Sequence, residues 1–164
     1  MDEKDEKCGV LFVCMGNTCR STMAEGILRH LLKEKGLTAK YHVDSAAIMH
    51  WQVGNPIDKR TQAVLKENDI DPFHHVARQI TKEDFFRFDF ILGMDEYNIS
   101  DLLSIKPPDS KAQIGLLGSF DSSANDPVIP DPYCSSQSIF HTVYKRCYAA
   151  CLGFLISNPS RTSL

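Results

Sequence analysis

No stretch of this 164-residue chain is apolar for long enough to cross a bilayer. Charge of one sign is also lacking: 18 basic residues stand against 21 acidic ones, a net charge of −3. No basic field exists to hold nucleic acid or an anionic membrane, so recognition of an anion must be local. Met1 to Lys7 alternate acid and base and lack the apolar centre of a signal peptide. Six cysteines without a secretory segment, in a chain large enough to need no staples, read as reduced thiols of a cytoplasmic protein. Cys147 and Cys151 lie one helical turn apart and are assigned to packing. His74, His75 and the four other histidines show no metal-ligand spacing, so no metal and no cofactor are expected. A Gly-Lys-Ser/Thr sequence after a glycine-rich loop is missing, which excludes a nucleotide-binding P-loop. No repeat, low-complexity tract or linker divides the chain. One domain over residues 9–157 is expected, between a disordered charged tail (1–8) and a polar C-terminal tail (158–164).

What the chain does have is Cys14-Met15-Gly16-Asn17-Thr18-Cys19-Arg20-Ser21. It joins a hydrophobic run, Val10 to Val13, to an amphipathic segment beginning at Thr22. That pattern reads as strand, tight loop and helix. A loop at a helix N-terminus aims unpaired backbone N–H groups at one point, an anion site before any side chain is counted. A thiolate among those donors, beside Arg20, is stabilised as the anion. The Arg20 guanidinium is a planar fork that matches two phosphate oxygens. Gly16 and Asn17 both tolerate left-handed backbone, with Asn17 the natural candidate for it. Ser21 is placed to donate to the Cys14 sulfur and also to cap the helix. A nucleophile inside an oxyanion cradle is the equipment for displacing a phosphoryl group.

The remaining pattern predicts strands at 9–14, 41–45, 88–94 and 112–117. Helices are predicted at 22–35, ended by Gly36, and at 58–68 with Ala63, Val64 and Leu65 at the buried side. Further helices follow from a Thr81 cap, over 96–104, and over 135–156 with Ile139, Val143, Cys147, Ala150, Cys151 and Phe154 on one stripe. Strands alternating with helices imply an α/β fold: one doubly wound domain, an open parallel four-stranded sheet with helices on both faces. Ligands bind such sheets beyond the carboxyl ends of the strands, where Cys14 falls.

Phosphate displacement also needs an acid for the leaving oxygen and a base for water. Three Asp-Pro pairs, Asp71-Pro72, Asp126-Pro127 and Asp131-Pro132, could supply it, and spacing alone does not choose among them.

Together with Val43-Asp44-Ser45-Ala46-Ala47, the run His75 to Phe85, Met94-Asp95-Glu96 and Asp131-Pro132-Tyr133, the loop resembles the low-molecular-weight protein tyrosine phosphatase family, from Gly9 to about Leu155. The resemblance implies a cysteine-dependent phosphatase acting on phosphotyrosine through a cysteinyl-phosphate, with acid phosphatase activity on aryl phosphates. It implies Cys14 as nucleophile, Arg20 with the loop from Met15 to Ser21 as phosphate-binding residues, and Asp131 as general acid. It further implies Ser45 and His75 holding Asn17 and Ser21, Asp95 orienting Arg20, and Trp51 and Tyr133 walling the substrate slot. Cys19 looks like a resolving thiol for an oxidised Cys14. Phosphorylated proteins are the implied partners of a monomer or weak dimer.

Three residues depart from the family pattern. Thr22 replaces a usual proline at the helix start. Cys134 stands where many animal members carry a second tyrosine. Thr18 occupies a position usually filled by isoleucine in tyrosine-specific members and by threonine in members resembling protein-arginine phosphatases, which is the alternative reading. An arsenate reductase would need further relay cysteines, and the position before Met94 is Gly93. A non-catalytic phosphoresidue-binding module would be expected to have lost Cys14 or Asp131.

Overall fold

The computed structural model describes residues 7–133 and 135–158, so Cys134 and the outer parts of both expected tails lie outside the described residues. Four strands, β1 (Cys8–Cys14), β2 (Tyr41–Ala47), β3 (Phe90–Gly93) and β4 (Gln113–Leu116), form one parallel sheet in the order β2-β1-β3-β4. Among the described residues five α-helices accompany them: α1 (Arg20–Glu34), α2 (Lys59–Glu67), α3 (Asp84–Arg87), α4 (Glu96–Ile105) and α5 (Gln137–Ser157). The doubly wound architecture is the expected one.

Every residue of β1 is buried, because helices cover both faces and side chains alternate between them. Cys8, Val10, Phe12 and Cys14 point into a core shared with Met23, Ile27, Leu28 and Leu31 of α1 and Phe140, Val143, Cys147 and Phe154 of α5. Leu11 and Val13 point the other way, to Phe85, Phe88, Ile91 and Leu102. Strand order reverses between β1 and β3, and the crevice at their carboxyl ends is the ligand position of such sheets.

Several element edges differ from the expectation. β1 begins at Cys8, which is fully buried and therefore belongs to the domain rather than the tail. Thr81 does not cap α3: the Asp84 carboxylate takes the Thr81 N–H at 2.8 Å, and the regular helix starts only at Asp84. Residues Thr38–Lys40 and Leu117–Phe120 form unforeseen 3-10 turns. The helix at 135–156 starts later, at Gln137, and buries Phe140, with Ile139 only packed at the edge. In α2 the buried residues are Thr61, Val64 and Leu65, while Ala63 is exposed. Gly36 does close α1, at φ 69°.

Candidate active site

The loop between β1 and α1 folds back under the Cys14 sulfur. Asn17 donates its backbone N–H to Cys14 Sγ at 3.3 Å, and Ser21 Oγ lies 3.0 Å from the same atom. Asn17 takes the left-handed backbone, at φ 58°. Gly16, which would also tolerate it, does not; a Cβ there would stand 3.1 Å from Gln52 Cγ, so its lack of a side chain admits Gln52 to the rim. Helix α1 starts at Arg20 with Cys19 as N-cap residue. Ser21 is thus inside the helix and caps nothing, its hydroxyl facing the sulfur. Thr22, in place of proline, bonds back from its hydroxyl to the Cys19 carbonyl at 2.9 Å.

A hydrogen-bonded network fixes Asn17 from all sides. Its Nδ2 donates to Ser21 Oγ at 2.8 Å and Ser45 Oγ at 2.9 Å. Its Oδ1 pairs with His75 Nε2 at 2.7 Å and accepts the Arg78 N–H at 3.1 Å. Ser45 and His75 therefore contact Asn17 directly and meet Ser21 only through it. Beneath them lies Glu25, fully buried and not anticipated from the sequence, which accepts from Ser45 Oγ at 2.6 Å and from Arg29 Nε at 2.8 Å. Burial pushes the Glu25 carboxyl up, against the opposing pull of the Ser45 hydroxyl and Arg29. Burial likewise pushes His75 below its ordinary value, so the neutral imidazole is favoured.

Glu25, Asp44 and His75 gather ligand-type atoms within 4.8 Å of one another, a cluster that sequence spacing did not reveal. Each is already engaged: Asp44 Oδ1 accepts the Ser45 N–H at 2.8 Å and Oδ2 accepts from Arg78 at 3.1 Å. The donor set fits a hydrogen-bonded support under the loop rather than a metal centre.

Arg20 is 2% exposed. Its Nη1 donates to Asp95 Oδ2 at 2.7 Å and to the Ile129 carbonyl at 3.0 Å, while Nη2 lies 3.6 Å from Asp131 Oδ2. Burial works against its charge, but Cys14, Asp95 and Asp131 outweigh burial and the net shift is upward. Asp95 also caps α4, its Oδ1 accepting the Asn98 N–H at 2.9 Å. One carboxylate oxygen thus holds Arg20 while the other caps the helix. Ile129 was not foreseen; a backbone carbonyl leaves no mark in side-chain patterns.

The cleft above the loop is lined by Cys14, Met15, Gly16, Thr18, Cys19, Arg20, Trp51, Gln52, Asp131 and Tyr133. Of the three Asp-Pro pairs, only Asp131 faces it. Asp71 is exposed and paired with Lys33 at 2.8 Å, and Asp126 turns its Oδ1 to the Val128 N–H at 2.9 Å. Trp51 and Tyr133 stand open at its mouth, 64% and 54% exposed. Cys19 is buried and its thiol is pushed up to about 12, first by burial and then by the Asp58 carboxylate.

The family model described as low molecular weight phosphotyrosine protein phosphatase matches residues 9–162. The Homo sapiens low molecular weight phosphotyrosine protein phosphatase is 48% identical over 148 residues, covering 89% of this chain and 92% of its own. A protein tyrosine phosphatase crystal structure from Entamoeba histolytica superposes with a TM-score of 0.89 at 31% identity, over 94% of this chain and 98% of that one. A Drosophila arginine phosphatase structure superposes with a TM-score of 0.83 at 38% identity, over 90% and 96% of the two chains.

Proposed function

This chain belongs to the low molecular weight phosphotyrosine protein phosphatase family, and we propose that it hydrolyses phosphotyrosine in proteins by two successive displacements at phosphorus. The observation that carries the mechanism is the convergence of Cys14, Arg20 and Asp131 on one cleft, above a loop whose Asn17 N–H points at the Cys14 sulfur. In the first step the Cys14 sulfur attacks phosphorus, and the bond to the phenolic oxygen breaks. Asp131 gives its proton to that oxygen. Arg20 and the N–H groups of Met15 to Ser21 hold the three non-bridging oxygens in the equatorial plane while sulfur and the leaving oxygen stand in line. In the second step the Asp131 carboxylate takes a proton from water, whose oxygen displaces sulfur and releases inorganic phosphate. Ser21, 3.0 Å from Sγ, donates to the departing thiolate. Trp51 and Tyr133 sandwich the substrate ring, and simple aryl phosphates are turned over in the same slot. The residues from Cys8 to Asn158 act as a single phosphatase domain, as a monomer or weak dimer in the reducing cytoplasm; the unbridged thiols of Cys14, Cys19, Cys147 and Cys151 suit that setting.

Cys14→Ser tests this reading. It should abolish turnover and leave the fold and inorganic phosphate binding largely intact. Activity within about tenfold of wild type would remove Cys14 from the mechanism.

A second reading, phosphoarginine hydrolysis, is supported by Thr18 at the cleft and by the likeness to the Drosophila arginine phosphatase structure. A threonine hydroxyl accepts from a guanidinium that an isoleucine methyl would crowd. Thr18→Ile should lower phosphoarginine turnover and spare or improve phosphotyrosine turnover, measured on matched peptides. Equal effects on both would leave Thr18 a role only in loop shape.

A further inference from the structure

We propose that Arg60, in the first turn of α2, is a positioning residue that fixes the Asp131 segment over the phosphate loop. The proposal rests on the reading of Asp131 as general acid. The segment carrying Asp131 has little of its own to hold it. Asp131 is 47% exposed in its side chain, and its Oδ1 is spent on the Tyr133 N–H at 3.0 Å. Upstream the segment is anchored at Ile129, whose N–H donates to the Met94 carbonyl at 2.9 Å and whose carbonyl accepts from Arg20. Downstream, Ser135 closes a turn by donating its N–H to the Pro132 carbonyl at 2.9 Å. Arg60 Nη1 takes the Ser135 carbonyl at 3.2 Å.

Arg60 can act as the downstream anchor because it is itself held. Its guanidinium forks onto Asp58, with Nε 3.2 Å from Oδ1 and Nη2 3.1 Å from Oδ2. The same group lies over the Phe140 ring, 4.5 Å from its centroid. Asp58 in turn donates its N–H to the Thr18 carbonyl at 2.9 Å. A continuous set of bonds thus runs from the phosphate loop at Thr18 through Asp58 and Arg60 to Ser135 and Pro132, next to Asp131. A planar fork can bond Asp58 and Ser135 together in fixed directions, whereas a lysine ammonium on its flexible stem is a point charge. Proton transfer depends on placing the donor within hydrogen-bond reach of the leaving oxygen, and small displacements are costly.

The test is Arg60→Met, which keeps the stem over Phe140 and removes the bonds. The measured quantity is kcat/KM, which reports the first, leaving-group-dependent displacement, on phenyl phosphate and on 2,4-dinitrophenyl phosphate. The phenyl value should fall by about tenfold and the dinitrophenyl value by less than about twofold, since the latter leaving group needs little protonation. Competitive inhibition by inorganic phosphate should stay within about twofold, the cradle being intact. In an Asp131→Ala background the Arg60→Met change should add no further loss, whereas Asp126→Ala should leave both substrates unaffected. Arg60→Lys should recover only part of the phenyl rate, and decides by the same ratio if Arg60→Met does not fold. Equal losses on both substrates, no loss on phenyl phosphate, or a further loss in the Asp131→Ala background would overturn the proposal. Selective loss in Asp131→Ala without it in Arg60→Met sinks this inference alone; its absence in Asp131→Ala itself sinks the general-acid reading.

Discussion

Replacing Asn17 with alanine removes four hydrogen bonds at one buried point and leaves a left-handed backbone without the residue suited to it. Ser21, Ser45 and Glu25 can regroup around one another, but the Arg78 N–H and His75 Nε2 lose the acceptor that lies 3.1 and 2.7 Å away. Each such stranded group costs about 1–3 kcal/mol, and a left-handed alanine about 1–2 kcal/mol more. Allowing for partial relaxation, the expected loss is about 3–5 kcal/mol, or roughly 10 °C in Tm for a domain of this size. Asn17→Gly separates the two contributions. It loses the same bonds without the left-handed cost, while its looser unfolded chain returns about 0.5–1 kcal/mol of the gain. Urea titrations should therefore rank wild type well above Asn17→Gly, with Asn17→Ala lowest by a further small margin. Turnover should fall in both, because Ser21 loses the donor that directs its hydroxyl at Cys14. A loss below about 1 kcal/mol in Asn17→Ala would refute the idea that the network holds the loop.

Mild peroxide should inactivate the enzyme reversibly, with a Cys14–Cys19 disulfide as the protected form; mass spectrometry finding only sulfinic or sulfonic acid at Cys14 would reject the resolving role of Cys19. Because the Cys19 thiol is pushed up to about 12, disulfide closure should quicken as pH rises through the mildly alkaline range, and a flat profile would contradict that burial. Acid should destabilise the fold through its histidines. His75 and His42 are both lowered by burial, so the unfolded chain binds protons that the folded chain refuses once pH drops below about 6.5. Stability is full above that value and lost as pH falls toward the folded values, with the raised Glu25 carboxyl working in the opposite direction at the acid end. Urea midpoints from pH 7.5 to 5 should decline, and less steeply in His75→Gln; an unchanged slope in that variant would exclude His75 as a contributor.

The phosphate loop, the sheet and α1 were legible because each leaves a local mark: an apolar run, a turn-tolerant asparagine and a helical stripe. Glu25 left none. A glutamate one turn beyond Ser21, with Arg29 one turn further, reads as a solvated ion pair, and only the approach of Ser45 from β2 makes it a buried support. Arg60 is similar: an arginine near a helix start looks like surface charge until Phe140 and Ser135 arrive from the far end of the chain. The Thr81 expectation failed because the regular helix begins only at Asp84, preceded by tight turns, and no side chain caps it; Asp84 instead reaches back to the Thr81 N–H. Asp131 could be chosen over Asp71 and Asp126 only through family resemblance, since all three share the same local chemistry. What separates them is where each carboxylate ends up: Asp71 on Lys33, Asp126 on the Val128 N–H of the same loop, and Asp131 at the cleft.

The bond from Arg20 to the Ile129 carbonyl spans 109 positions of sequence. During synthesis β1, the loop and α1 can assemble long before Ile129 has been made, yet the guanidinium then has no acceptor on that side. An emerging chain would carry its nucleophile first, the Asp95 that orients Arg20 later, and Ile129 with the proposed general acid Asp131 last. Catalytic competence is therefore withheld until the final quarter of the polypeptide has docked, and a fragment ending before Ile129 should be inert even if its sheet is formed.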